Sequence, residues 1–117
     1  MSRMERINES VKRELCMIVQ RELSDPRLAF VTISRVEVSR DLRHAKVFFS
    51  VLGDESKAEY AAEGFEAAKG FIKRILSKRI EMKFMPELAF IHDRSLSSGI
   101  ELSAEIERLK NEPSSRA

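Results

Sequence analysis

Between positions 44 and 51 the side chains alternate strictly. Ala45, Val47, Phe49 and Val51 take one parity, and His44, Lys46, Phe48 and Ser50 take the other. A two-residue period sends the two sets to opposite faces of a β-strand. A strand with one apolar face needs a second layer over that face and leaves the other toward water. The segment before it, residues 30–40, is rich in β-branched residues, with Val31 and Ile33 on one parity and Val36 and Val38 on the other. That phase change near Ser34 and Arg35 predicts a bulge or twist. The polar run Ser39, Arg40, Asp41, Leu42, Arg43 between the two segments reads as the turn of an antiparallel hairpin.

Helical periodicity flanks the hairpin on both sides. Over residues 3–23, Met4, Ile7, Val11, Leu15 and Ile18 recur at three and four residues, and Ser24, Asp25, Pro26 and Arg27 end the pattern because proline restricts the residue before it and cannot continue a helix. After Gly53, Asp54 and Glu55, the pair Ser56 and Glu59 has the spacing of a capping box. Ala61, Gly64, Phe65, Ala68, Phe71, Ile72, Ile75 and Leu76 then share one stripe. Gly64 lies on that stripe and predicts close packing. Gly70 lies off it, so packing does not account for it, and a kink at Ala68, Lys69 and Gly70 is expected. A third strand follows Met85 and Pro86 over residues 87–92, and a last short amphipathic helix follows Ser98, with Leu102, Ile106 and Leu109 on its apolar side. Three strands cannot bury both faces, so the helices should cover one. The expected fold is α+β, a three-stranded mixed sheet packed on one face by helices, in the order α-β-β-α-(kink)-α-β-α.

At 117 residues the chain suits a single domain, read as residues 1–110 with a flexible tail over 111–117. One cysteine closes no intrachain disulfide and, with two histidines, builds no structural zinc site. No apolar run is long enough to span a bilayer, and the charged amino terminus does not read as a signal peptide. A cytoplasmic monomer is expected, with no metal and no cofactor. His44 and His92 occupy strand positions with no motif around them, Cys16 sits among core positions of the first helix, and Glu87 and Asp93 have no evident partner in sequence. Catalysis needs a positioned pair, and none can be assembled, so an enzyme is not expected.

Charge is the informative feature. Twenty-one basic against nineteen acidic residues give a net charge of only +2, but the signs are segregated. Lys69, Lys73, Arg74, Lys78, Arg79 and Lys83 cluster with Glu81 as the sole acid among them, while over residues 54–66 Asp54, Glu55, Glu59, Glu63 and Glu66 face only Lys57. The first helix mixes both signs evenly. Most charge runs are merely a solvated helix face. A nearly acid-free cluster beginning beside a glycine instead suits phosphate oxygens. Lys73, Arg74 and Lys78 fall on the polar side, Lys69 near its edge, and Arg79 and Lys83 at or past the helix end. Arg40, Arg43 and Lys46 add a second basic group in the hairpin. Lys69, Gly70 and Phe71 resemble the opening of an RNA-recognition strand motif, but they lie inside a helical pattern.

The stretches RELSDPRLAFVTISRVEVSRDLRHAKVFFSVLGDE and MPELAFIHDRSLSSG closely resemble the bacterial ribosome-binding factor A family, over roughly residues 6–106. The resemblance implies a type II KH-like fold. It also implies binding to the free small (30S) ribosomal subunit and its 16S rRNA, support of late subunit maturation and rRNA 5′-end processing, and a role in cold adaptation. Other assembly factors are further partners it allows. KH domains in general clamp single strands with a GXXG loop. Gly53, Gly64, Gly70 and Gly99 never have that spacing. Ala68, Lys69 and Gly70 are similar to the family's A-x-G kink, which stands in the loop's place. Recognition of folded rRNA through phosphates is therefore expected, and 7% aromatic content without tryptophan furnishes little for base stacking. The rival reading is a protein-interaction module using its sheet face or edge strand, without direct RNA contact.

Overall fold

A computed structural model describes residues 1–94. Helix α1 spans Arg3–Arg21. Ser2 caps it through a capping box with Glu5, the Ser2 hydroxyl accepting from the Glu5 amide at 3.1 Å and the Ser2 amide donating to the Glu5 carboxylate at 2.8 Å. Strand β1 is Val31–Val38, strand β2 is His44–Val51, helix α2 is Glu55–Arg79 and strand β3 is Glu87–His92. The strand order is β1-β2-β3, with β1 antiparallel and β3 parallel to β2. This is the mixed α+β sheet the periodicities imply. The expected last helix and the 110/111 boundary lie outside the described residues.

The register of β1 against β2 shifts between Ile33 and Arg35. The bulge lets Ile33, Val36 and Val38 all face inward despite their mismatched parity, and each is buried. Ala45, Val47 and Phe49 of β2 and Leu88 of β3 join them. Helix α1 contributes Val11, Leu15 and Ile18, and α2 contributes Ala61, Phe65, Ile72 and Leu76. The opposite face of the sheet keeps Arg35, Glu37, His44 and Lys46 exposed. Both helices thus cover the same apolar face of the sheet.

Between α1 and β1 the Asp-Pro-Arg run forms a 3₁₀ turn, Pro26–Leu28. The Asp25 carboxylate accepts from the Arg27 amide at 2.9 Å and from the Arg27 guanidinium at 2.8 Å. This turn is the surface that Gly64 packs on. A Cβ at Gly64 would stand 3.0 Å from Arg27 Cβ and 3.2 Å from Leu28 Cδ2.

The start of α2 differs from expectation. Asp54, not Ser56, is the N-cap, in extended conformation, its carboxylate accepting from the Lys57 amide at 3.3 Å. Ser56 is already helical and donates its hydroxyl to Asp54 at 2.7 Å. Aspartate caps at least as well as serine, and the earlier acceptor starts the helix. From there α2 is helical through Ala68, Lys69 and Gly70 to Arg79.

Candidate nucleic-acid interface

The buried stripe of α2 determines where its cations stand. With Phe65, Ile72 and Leu76 fully buried, Gly70 is exposed on the side away from the sheet. A Cβ built on Gly70 meets nothing within 4 Å. Arg74 and Lys78 are exposed on that polar side as well. The Arg74 guanidinium lies 5.4 Å from the Phe71 ring centroid. Phe71, expected on the apolar stripe, is 37% exposed and sits at the stripe's margin. Lys83 lies beyond the helix, 5.7 Å from the ring of the exposed Phe84.

Three of the cluster's cations have internal partners. Lys69 Nζ is 3.1 Å from Glu66, one helical turn away. Lys73 Nζ reaches Glu87 of β3 at 3.0 Å. Arg79 binds Glu14 at 3.5 Å and Glu22 at 3.2 Å, which ties the end of α2 to α1. Arg74, Lys78 and Lys83, and the hairpin's Arg40, Arg43 and Lys46, make no ion pair among the described residues.

Glu87 is the point where the α2 group approaches the hairpin. It pairs in register with His44, and its amide donates to the Arg43 carbonyl at 2.8 Å. The Lys73 ammonium bound to it, with Lys69 and His44 nearby, holds the Glu87 carboxyl below the usual carboxylate range. Arg40 and Arg43 lie in the hairpin turn, and Lys46 lies on β2 opposite Glu37. Asp41 accepts from the Ser39 hydroxyl at 2.6 Å and from the Arg43 amide at 3.0 Å, and these two bonds hold its carboxyl low. Leu42 adopts the left-handed conformation, φ 64°, and packs its side chain on the core.

One feature of this surface escapes the sequence. A cleft of about 680 Å³ opens between α1 and the chain just past α2, with Leu42 in its lining. Arg3, Arg6 and Arg13 of α1 line it together with Arg79 and Lys83. In sequence these arginines alternate with Glu5, Glu9 and Glu14, and the helix reads as neutral. Their spacing, three and seven residues apart, is the available signal, since it keeps them along one ridge.

The remaining candidates have structural partners or surroundings. Cys16 is half-buried, and burial pushes its thiol up, as suits a packing residue. The imidazole of His92 lies 5.6 Å from the Phe49 ring. Asp93 and Glu87, without evident partners in the sequence, both have them in the fold. Asp93 is 6% exposed, and it accepts from the Ser34 hydroxyl at 2.8 Å and from Arg35 at 3.3 Å. Among the described residues no cluster of histidine, cysteine or carboxylate side chains could hold a metal, and no helix is long and apolar enough to cross a membrane.

The family model described as ribosome-binding factor A matches residues 3–106. The chain belongs to the ribosome-binding factor A family. A ribosome-binding factor A from Halothermothrix orenii is 41% identical over 113 residues, covering 97% of this chain and 93% of that one. The crystal structure of ribosome-binding factor A from Thermus thermophilus superposes with a TM-score of 0.72 at 27% identity, over 80% of this chain and 99% of that one. A homology model of the Thermus thermophilus ribosome-binding factor A, fitted into a cryo-EM map of its 30S complex, aligns with a TM-score of 0.62 at 28% identity, over 74% and 91% of the two chains. The fold is thus the KH-like one of ribosome-binding factor A, and the family is one of ribosome-binding factors.

Proposed function

We propose that this protein is a cytoplasmic, monomeric assembly factor without catalytic activity. It binds the free 30S subunit and its 16S rRNA, supports late maturation and rRNA 5′-end processing, and matters most in the cold. Lys69, Lys73, Arg74, Lys78, Arg79 and Lys83 face phosphates from one side, and Arg40, Arg43 and Lys46 from a second. The observation that carries this reading is Gly70. It costs the helix stability, leaves open space where a side chain would stand, and sits among cations, which is where a phosphate backbone could approach the helix closely.

A factor that performs no reaction changes rRNA folding only through unequal affinity for competing arrangements. Misfolded RNA escapes its traps more slowly at low temperature, so such a bias counts most there. The test is a triple variant, Lys73→Glu, Arg74→Glu and Lys78→Glu, with its fold checked by circular dichroism. The parent should bind purified 30S subunits with affinity that falls steeply with salt, and the variant should bind far more weakly and fail to support growth in the cold. Binding that ignores both salt and the substitutions would instead favour an apolar protein–protein contact.

A further inference from the structure

The cleft between α1 and the chain past α2 shares only Arg79 and Lys83 with the proposed grip on rRNA, and its α1 wall has no part in that grip. Its lining includes five cations, Arg3, Arg6, Arg13, Arg79 and Lys83, against two carboxylates, Glu14 and Glu81. Glu14 is engaged by Arg79 at 3.5 Å, so it does little to neutralise the others. Arg3, Arg6 and Arg13 make no ion pair among the described residues. A concave wall with one excess sign of charge focuses the field and draws counter-ions into it. These three cations of α1 are all arginines, whose forked donors match phosphate oxygens better than an ammonium does. Apolar Ile7, Val11 and Leu42 add to the lining, and no aromatic residue is among it. The site can therefore hold a charged backbone but offers no platform for stacking a base.

We propose that this cleft is a second RNA-backbone site, in which Arg3, Arg6 and Arg13 form one wall and Lys83 the other. The inference rests on the RNA-binding function proposed for the α2 cluster and extends it to the arginines of α1, which lie outside that cluster. Arg79, at the end of α2, is the link between the two, because it closes the helix and lines the cleft. An RNA strand crossing the outer side of α2 would continue past Lys83 and between the two walls. Leu42 of the hairpin turn, at φ 64°, also lines the cleft.

Two measurements on the full chain test this. Arg3→Gln, Arg6→Gln and Arg13→Gln together should weaken binding to purified 30S subunits roughly tenfold at moderate salt, and should lower the log–log salt slope by about 0.7 to 0.9 for each phosphate that is no longer neutralised. A variant that melts like the parent and keeps its full slope overturns the site. The second measurement needs no loss of arginine. With Cys16 replaced by serine, an iron chelate tethered at Ser10→Cys, on the cleft wall, should cleave 16S rRNA within the bound subunit. The same chelate at Ser77→Cys, on the outer side of α2, reports on the first surface. Cleavage from position 77 but not from position 10 removes the cleft and leaves the general reading standing, as would be the case if an acidic protein segment filled it. Absence of cleavage from both positions removes the two together.

Discussion

Two glycines of α2 differ in what a methyl group would meet, and that difference separates packing from binding. At Gly64 a Cβ would stand 3.0 Å from Arg27 Cβ and 3.3 Å from Leu28 Cγ. Neither neighbour can easily move, because Arg27 is held by Asp25 through two guanidinium nitrogens and Leu28 is buried. Overpacking costs about 1–3 kcal/mol, against roughly 1 kcal/mol gained in helix propensity, so Gly64→Ala should be destabilising on balance. At Gly70 a Cβ meets nothing. Gly70→Ala should therefore stabilise the folded protein by about 1 kcal/mol, which is a rise of about 4 °C in melting temperature for a domain of this size. The same substitution should weaken binding to 30S subunits. Urea unfolding and subunit binding measured on both variants check this, and a Gly70→Ala protein that is more stable and binds undiminished would show that the glycine serves no contact.

Among the elements, the bulge in β1 does the most to join distant parts of the chain. It turns Ser34 so that its hydroxyl lies 3.1 Å from the Phe48 carbonyl and 2.8 Å from Asp93, just past β3. The Asp93 amide in turn donates to the Phe49 carbonyl at 2.7 Å. All three strands are thus stitched together at one end. Removing a donor from a buried carboxylate costs about 1–3 kcal/mol, so Ser34→Ala should lose that much stability and unfold at lower urea without a change in the slope of the transition. The bulge itself was legible, because Val31 and Ile33 disagree in parity with Val36 and Val38 and a buried face tolerates no such disagreement. Its use was not, since Ser34 and Asp93 are far apart in sequence and nothing local marks a buried carboxylate. The strand and helix spans were legible for the same reason as the bulge: burial imposes periods of two and of three to four. The cap of α2 was not, because two acceptors, Asp54 and Ser56, compete within three residues, and backbone conformation decides between them. The arginines of α1 are hidden because a count along the chain averages charges that the helix sends to different sides.

For the molecule as a whole, the question is how a nearly neutral protein holds a polyanion. The net charge of +2 supplies little long-range attraction, so affinity must come from local cations that are free or can be freed. Lys73 is of the second kind. Its exposed pair with Glu87, at 3.0 Å, is a weak bond that phosphate can replace. The competition has a definite pH dependence. The Glu87 carboxyl is held below its ordinary value, chiefly by the Lys73 hydrogen bond. The pair therefore contributes to stability above the unfolded carboxylate range and loses that contribution as pH falls through the lower folded value. Glu87→Gln should remove this part of the acid-induced destabilisation, so that the stability difference between parent and variant is largest near neutrality and vanishes in acid. In binding, the sign reverses. The variant loses an anion beside the proposed interface and releases an ammonium toward it, so affinity for 30S subunits at low salt should rise by roughly two- to tenfold, with a salt slope steeper by about 0.7 to 0.9. The affinity gain should shrink as salt is added, as the steeper slope requires, because it is electrostatic and exposed. Titrations at several salt concentrations at neutral pH measure this directly. An unchanged affinity and slope would place Lys73 in water in the bound state and move the interface off this side of α2.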